Sequence, residues 1–226
     1  MEDKMRRYYD SCAGSFDAGG PTGYFRRVLL SIISPRVPET ASILDIGCAT
    51  GWLLKALDNG KRTLTGVDNS KGMISQTGGI EIIRTDIRDF SSEREFDVVV
   101  VSNLLHHFNP QDMKRVLTSA IKALSEGGMI LIITPNIYSI LVFHYIYRRI
   151  ASSYGPSVRN ILYAQRNIGR VMRKNDLNIG KRLFYAYPLL ISLGVRVLEQ
   201  FEVRRSLPFS GYIIFEGTRK SGTGSR

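Results

Sequence analysis

The chain has 226 residues, 43% of them hydrophobic, enough to bury one sizeable core, and carries a net charge of +11 that suits an anionic partner. Two cysteines, Cys12 and Cys48, supply neither a disulfide framework nor a C-x-x-C metal spacing, so no metal and no disulfide-linked partner is expected. The opening MEDKMRRYYD mixes charges of both signs, unlike a secretory signal or transit peptide, and no uninterrupted apolar run reaches the roughly 18 to 20 residues of a spanning helix. A reducing cytoplasmic setting is expected.

In chain order, five β-branched or Leu-rich runs alternate with helix-like stretches: SILDIG, RTLTGVD, IEIIRTD, FDVVVVSN and GGMILIITPN. Continuous apolar runs such as Val98 to Val101 predict strands buried on both faces, as in a parallel sheet. GWLLKALDNG and NPQDMKRVLTSAIKALSEGG read as helices, the second entered through Asn109 and Pro110 and ended at Gly127. Beyond Asn136 the alternation stops. Ile137 to Ile150 is apolar and aromatic, Arg166 to Lys174 is a basic helix candidate, and Asn178 to Tyr187 predicts a sixth strand ended by Pro188. Leu189 to Val203 reads as a helix, Gly211 to Arg219 as a final strand, and SGTGSR as a disordered tail.

The expected fold is therefore α/β: a Rossmann-like doubly wound sheet of seven strands, mostly parallel, with a C-terminal antiparallel strand. A single domain is expected over 1–220, with a helical arm or lid (1–40), a cofactor-binding core (41–136), a basic and aromatic insertion with strand six (137–187), a final helix and strand (188–220), and a tail (221–226).

Ligands of such sheets bind beyond the carboxyl ends of the strands, and the first strand-to-helix turn must let backbone approach closely. Gly47, Ala49 and Gly51 give SILDIGCATGWLL that freedom. A dinucleotide loop would read G-x-G-x-x-G, but its last position is Trp52, and Asp45 just before the loop would repel a pyrophosphate and attract a cation. A nucleoside carrying positive charge fits better.

On these residues, 42–136 resemble a class I S-adenosylmethionine-dependent methyltransferase. The family's first motif, an acid followed by G-x-G-x-G, is matched by Asp45, Gly47, Ala49 and Gly51, with Cys48 between and Ala49 departing from the middle glycine. By resemblance, Asp68 of TGVDNS, followed by Asn69, holds the ribose hydroxyls. Asp86 of RTDIRDF meets the adenine amino group, while the Ile87 amide meets a ring nitrogen, and backbone near Asn103 of VSNLLHHF meets the methionine end. The implied cofactor is S-adenosylmethionine and the product S-adenosylhomocysteine. The N-terminal RRYYDSCAGSFDAGG is similar to the subset that includes ubiquinone and menaquinone methyltransferases, in which a Tyr-Asp segment closes over the cofactor. Tyr8, Tyr9 and Phe16 are lid candidates, with Tyr8 placed at the cofactor; the alternative is a solvated arm.

His106 and His107 follow strand four where an acceptor would approach, and a histidine can take a proton from a hydroxyl or acidic carbon. Against that role, one could pack and the other cap the turn. Between His144 and Arg182, nine Lys or Arg face one acid, Asp176, giving +8 beside aromatic residues. Such a segment suits a small or lipid-like acceptor, or peripheral contact with an anionic membrane. RNA or protein methylation is the alternative, although Ser102-Asn103-Leu104-Leu105 stands where base-amine methyltransferases show an N-P-P-Y-like motif. A non-catalytic S-adenosylmethionine-binding protein is the second alternative.

Overall fold

The computed structural model describes residues 2–17, 21–137, 157–180, 182–185 and 211–221. The expected helix over 189–203, most of the apolar insertion and the last five residues lie outside them.

Strands β1 (Ser42–Ile46), β2 (Thr63–Asp68), β3 (Glu81–Arg84), β4 (Phe96–Ser102), β5 (Leu124–Pro135), β6 (Leu177–Ile179), β7 (Leu183–Tyr185) and β8 (Tyr212–Arg219) form one sheet in the order β3-β2-β1-β4-β5-β8-β6, with β7 also on β8. The first five pair in parallel, and β8 runs antiparallel between β5 and the segments β6 and β7. The expected sixth strand is thus split. Ile179 opposes Gly217 and Leu183 opposes Ile214, so the register shifts by one residue between them. Seven strand positions hold eight segments.

Alternating side chains explain why the apolar runs are continuous. Leu44, Ile46, Val99, Val101, Ile130 and Ile132 enter one core, whereas Ile43, Val98, Val100, Leu131 and Ile133 enter the other. Helices α2 (Pro21–Ile33) and α3 (Trp52–Leu57) cover the second face through Leu29, Ile33, Leu53 and Leu57. On the first face, α5 (Pro110–Lys122) and α6 (Val158–Lys174) contribute Met113, Leu117, Ile168 and Met172. Helix α1 (Glu2–Cys12) and the one-turn α4 (Lys71–Ile74) pack together beyond the strand ends.

Helix α5 starts as expected, with the Asn109 side chain accepting from the amides of Gln111 and Asp112 at 2.9 Å and Pro110 in the first turn. It ends at Lys122, not at Gly127. Leu124 already pairs with Phe96, and a Cβ on Gly128 would lie 3.0 Å from the Phe96 carbonyl oxygen, so sheet pairing claims the end of the helical pattern. Among the described residues no helix is long and apolar enough to cross a membrane.

Candidate functional site

The strand order reverses at β1, which has β2 on one side and β4 on the other, and a cavity opens beyond their carboxyl ends. Its floor is the loop after β1. Gly47 (φ 77°), Ala49 (φ 49°) and Gly51 (φ 69°) all adopt left-handed backbone, and the Gly47 and Cys48 amides donate to the Val67 carbonyl at 2.7 and 3.1 Å. Glycine at 47 is doubly required, because a Cβ there would also press on Leu104 at 3.1 Å. Cys48 is buried under the loop, where burial pushes its thiol pKa up, and it faces Gly66 of β2. A Cβ at 66 would sit 2.6 Å from the Cys48 sulfur. Sequence reasoning missed Gly66, which looked like an ordinary strand residue.

Two carboxylates line this floor. Asp68 accepts the Ala49 amide on one oxygen and the Ser70 amide on the other, each at 2.9 Å, while burial raises its pKa. Asp45 is 3% exposed, and its Oδ1 has no hydrogen-bond partner among the described residues. Burial, assisted by the charge of Asp68, lifts its pKa to about 7. A buried acid with an unsatisfied oxygen is completed by a cationic donor. The amino group of S-adenosylmethionine meets that requirement, and a pyrophosphate would not. Asn69 also lines the cavity, and Asn103, at φ 53°, presents a buried Oδ1 that has no partner among the described residues.

Four expected site residues, Gly51, Asp86, His106 and Tyr8, do not line the cavity, each held elsewhere by its own surroundings. Asp86 caps the turn Ile87–Asp89 and is held by Arg88, whose backbone N and Nε donate to Oδ1 at 2.9 and 3.0 Å and whose Nη2 donates to Oδ2 at 2.7 Å. Ile87 next to it does line the cavity. Gly51 acts as the left-handed N-cap of α3. His106 is 1% exposed within the core side of its turn, and burial holds its pKa well below the usual value. Tyr8 is absent from the lining, its ring edge-on to Tyr9 at 5.4 Å.

Tyr9, Phe16, Arg6 and Met5 form the roof, and His107 faces them from the turn Leu105–His107 after β4. His107 is partly buried, and desolvation holds its pKa down to about 4, so the ring is neutral at physiological pH. The arm is pinned at two places. Asp10 Oδ1 accepts from Ser70 Oγ at 2.6 Å and the Gly72 amide at 2.9 Å, bonds that keep its carboxyl pKa low. Farther along, Asp17 Oδ1 accepts from Thr50 Oγ1 at 2.9 Å and from Arg26 Nη2 at 2.7 Å, and the Arg26 guanidinium lies 4.9 Å over the Trp52 ring. Both aspartates lie in the N-terminal stretch with the Tyr-Asp segment, but neither is among the expected site residues. Among the described residues no cluster suited to a metal occurs.

Residues 43–128 match a family described as a methyltransferase domain. The carboxy-S-adenosyl-L-methionine synthase of Campylobacter lari is 25% identical over 122 residues, 50% of this chain and 52% of that protein. The malonyl-[acyl-carrier protein] O-methyltransferase of Priestia megaterium is 30% identical over 104 residues, 42% of this chain and 37% of the other. The chain spans about half the length of the first curated relatives it matches. Among solved structures, the plantazolicin methyltransferase BpumL, in complex with a triazolic desmethylPZN analog and S-adenosylhomocysteine, superposes with a TM-score of 0.60 at 19% identity, over 95% of this chain and 90% of its own. Residues 43–128 thus match a methyltransferase-domain family across the strands that carry a floor built around Asp45, Asp68 and the left-handed loop.

Proposed function

We propose that this chain transfers the methyl group of S-adenosylmethionine to a small or lipid-like acceptor, at oxygen or carbon, by in-line displacement. The observation that carries the reading is the unsatisfied, buried Asp45 carboxylate beside Asp68 at the switch point, a floor built for a cationic nucleoside. Asp45 would hold the cofactor's amino group, Asp68 its ribose and the Ile87 amide its base. When bound, the cofactor supplies the electrophilic methyl group and a good leaving group. The work left to the protein is alignment and exclusion of water. Tyr9, Phe16 and Met5 would close the acceptor side, and His107, neutral and facing the roof, is the residue placed to receive a proton from a protic acceptor. His106 is enclosed in the core and is not given that role. The similar proteins support a small-molecule or peptide acceptor by their names, one an O-methyltransferase on a carrier-bound malonyl group and one a plantazolicin methyltransferase.

The test is transfer of labelled methyl from S-adenosylmethionine into cell extract, fractionated into lipid, RNA, protein and small molecules. Label should enter the lipid or small-molecule fraction, and His107→Gln should slow it by roughly 10² to 10⁴ with cofactor affinity nearly unchanged. Label confined to RNA or protein replaces the reading with its alternative, and no transfer alongside tight cofactor binding leaves a non-catalytic binder.

The partner reading rests on α6. Arg159, Arg166, Arg170, Arg173 and Lys174 are all exposed, and their spacing puts them on one stripe, opposite the buried Ile161, Ala164, Ile168 and Met172. An anionic bilayer surface is the partner proposed for this stripe. Each such cation near the surface contributes about 1 kcal/mol, screened beyond roughly 8 Å at physiological salt. Co-sedimentation with phosphatidylserine vesicles should fall as salt rises and weaken when Arg170, Arg173 and Lys174 become Gln. Vesicles ignored while RNA is bound at the same salt would overturn it.

A further inference from the structure

The roof and the acceptor-side histidine meet at one hydrogen bond: Tyr9 Oη lies 3.3 Å from His107 Nε2, with the rings edge to face at 84°. A neutral imidazole has one donor and one acceptor nitrogen, and its hydrogen-bond partner decides which is which. A phenol, with a pKa near 10, keeps its proton at physiological pH and donates to a pyridine-type nitrogen. The Tyr9 ring is held for this by edge contacts with Tyr8 on one side and Phe16 at 6.2 Å on the other.

The next residue along α1 fixes the helix itself. Asp10 is bonded to Ser70 Oγ and the Gly72 amide, and a Cβ on Gly72 would lie 2.8 Å from the Asp10 carbonyl oxygen. The two backbones therefore touch, and any side chain at 72 would lift α1 from α4. Ser70 follows directly on Asp68 and Asn69 of the cofactor floor, and the Asp68 carboxylate accepts its amide. The contact that seats the arm thus springs from the cofactor-side loop.

We infer that Tyr9 sets the tautomer of His107, donating its hydroxyl proton to Nε2 so that the ring proton sits on Nδ1, and that it does so only while Asp10 seats α1 on Gly72. The inference rests on the reading of His107 as the acceptor-side residue. Its consequence is a substrate class. With its proton committed to His107, the Tyr9 oxygen offers lone pairs alone, so it receives a hydrogen bond from an acceptor bearing O–H or N–H, and a proton lost by that acceptor enters Tyr9 Oη as the Tyr9 proton passes to His107 Nε2; an aprotic acceptor is offered nothing.

The tautomer is read directly by long-range proton–nitrogen correlation spectra of the ¹⁵N-labelled full chain, which has three histidines, His106, His107 and His144. The His107 signals are assigned by their loss in His107→Gln. In the parent, Nε2 should show the shift of an unprotonated nitrogen. Tyr9→Phe keeps the ring and removes the hydroxyl, and should shift the tautomer ratio about fivefold toward protonated Nε2, the equivalent of one net hydrogen bond. Gly72→Ala and, separately, Asp10→Ala should produce the same shift without touching the imidazole. An unchanged tautomer in Tyr9→Phe overturns the assignment, and a change in that variant alone overturns the dependence on docking. A His107→Gln variant that still transfers methyl at the parent rate would remove the base reading while leaving the tautomer result standing, so the two failures are separate observations.

Discussion

The floor and the roof of the cavity are built in opposite ways. The floor is made of strand ends: Asp45, Asp68 and the loop between them are fixed by parallel pairing with β2 and β4, by buried side chains on both faces, and by amides bonded across strands. The roof is helix α1 and the turn that follows it to Asp17, with half-exposed aromatics, attached through Asp10 to α4 and through Asp17 to Thr50. On the proposed function, a site assembled this way would hold its cofactor rigidly and its acceptor adjustably. Substitutions in the floor should therefore act on cofactor affinity, and substitutions in the roof on turnover.

The largest expected effect breaks the floor. Asp68 accepts two amides and faces the cavity, so Asp68→Ala removes the carboxylate proposed to hold the ribose as well as a tie on the loop. Loss of hydrogen bonds to a charged group costs roughly 1.5 to 3 kcal/mol, and calorimetry should show S-adenosylmethionine binding weakened about 10- to 100-fold or more. An unchanged dissociation constant would mean that the cofactor does not sit on this floor.

A second effect separates the empty floor from the filled one by pH. The Asp45 pKa is lifted to about 7 in the folded chain, from an ordinary 3.8. Between those values the unfolded carboxyl has lost its proton while the folded one keeps it. Without cofactor, stability should then fall as pH rises from about 4 to 7. A cationic ligand reverses the preference by stabilising the carboxylate, so affinity should rise about tenfold from pH 6 to 8. Melting temperatures and binding measured across that range check both trends, and Asp45→Asn should abolish both. A parent whose affinity is flat across pH 7 would remove Asp45 from the cofactor's cationic end.

The same contrast explains what could be read from the sequence. The floor was legible because each strand leaves a periodic apolar run and each loop a short motif of glycine and acid at its end; 42–46, 63–68 and 96–102 were placed within a residue or two. Asp86 shows the limit. The motif locates the residue after β3, and Arg88 two positions on binds its carboxylate, a local ion pair that no spacing rule announces. The roof was legible only as a family habit. Tyr8, Tyr9 and Phe16 are equally aromatic in the sequence, and the choice of Tyr9 and Phe16 over Tyr8 follows from how α1 is rotated when Asp10 meets Gly72, a contact between segments 62 residues apart. The end of α5 failed for a related reason, since pairing of Leu124 with Phe96 outweighs the helical pattern of its own segment.

The smallest expected effect sharpens the account of the floor at one atom. Ala49 stands where the family motif has glycine, and it adopts φ 49°, a conformation that costs an L residue roughly 1 to 2 kcal/mol. Ala49→Gly relieves that strain but restores freedom to the unfolded chain, which costs about 0.4 to 1 kcal/mol. The balance is a stabilisation of about 0.5 to 1 kcal/mol, or a melting temperature higher by roughly 1 to 4 °C for a chain of this size. The amide that donates to Asp68 Oδ2 is kept in the variant, so cofactor affinity should stay within about twofold of the parent. Scanning calorimetry with and without S-adenosylmethionine separates the two quantities. A lower melting temperature would show that the Ala49 methyl makes packing contacts worth more than the strain it carries. A loss of affinity at unchanged stability would show instead that the methyl touches the cofactor, and that this floor is shaped for its ligand by a side chain as well as by backbone.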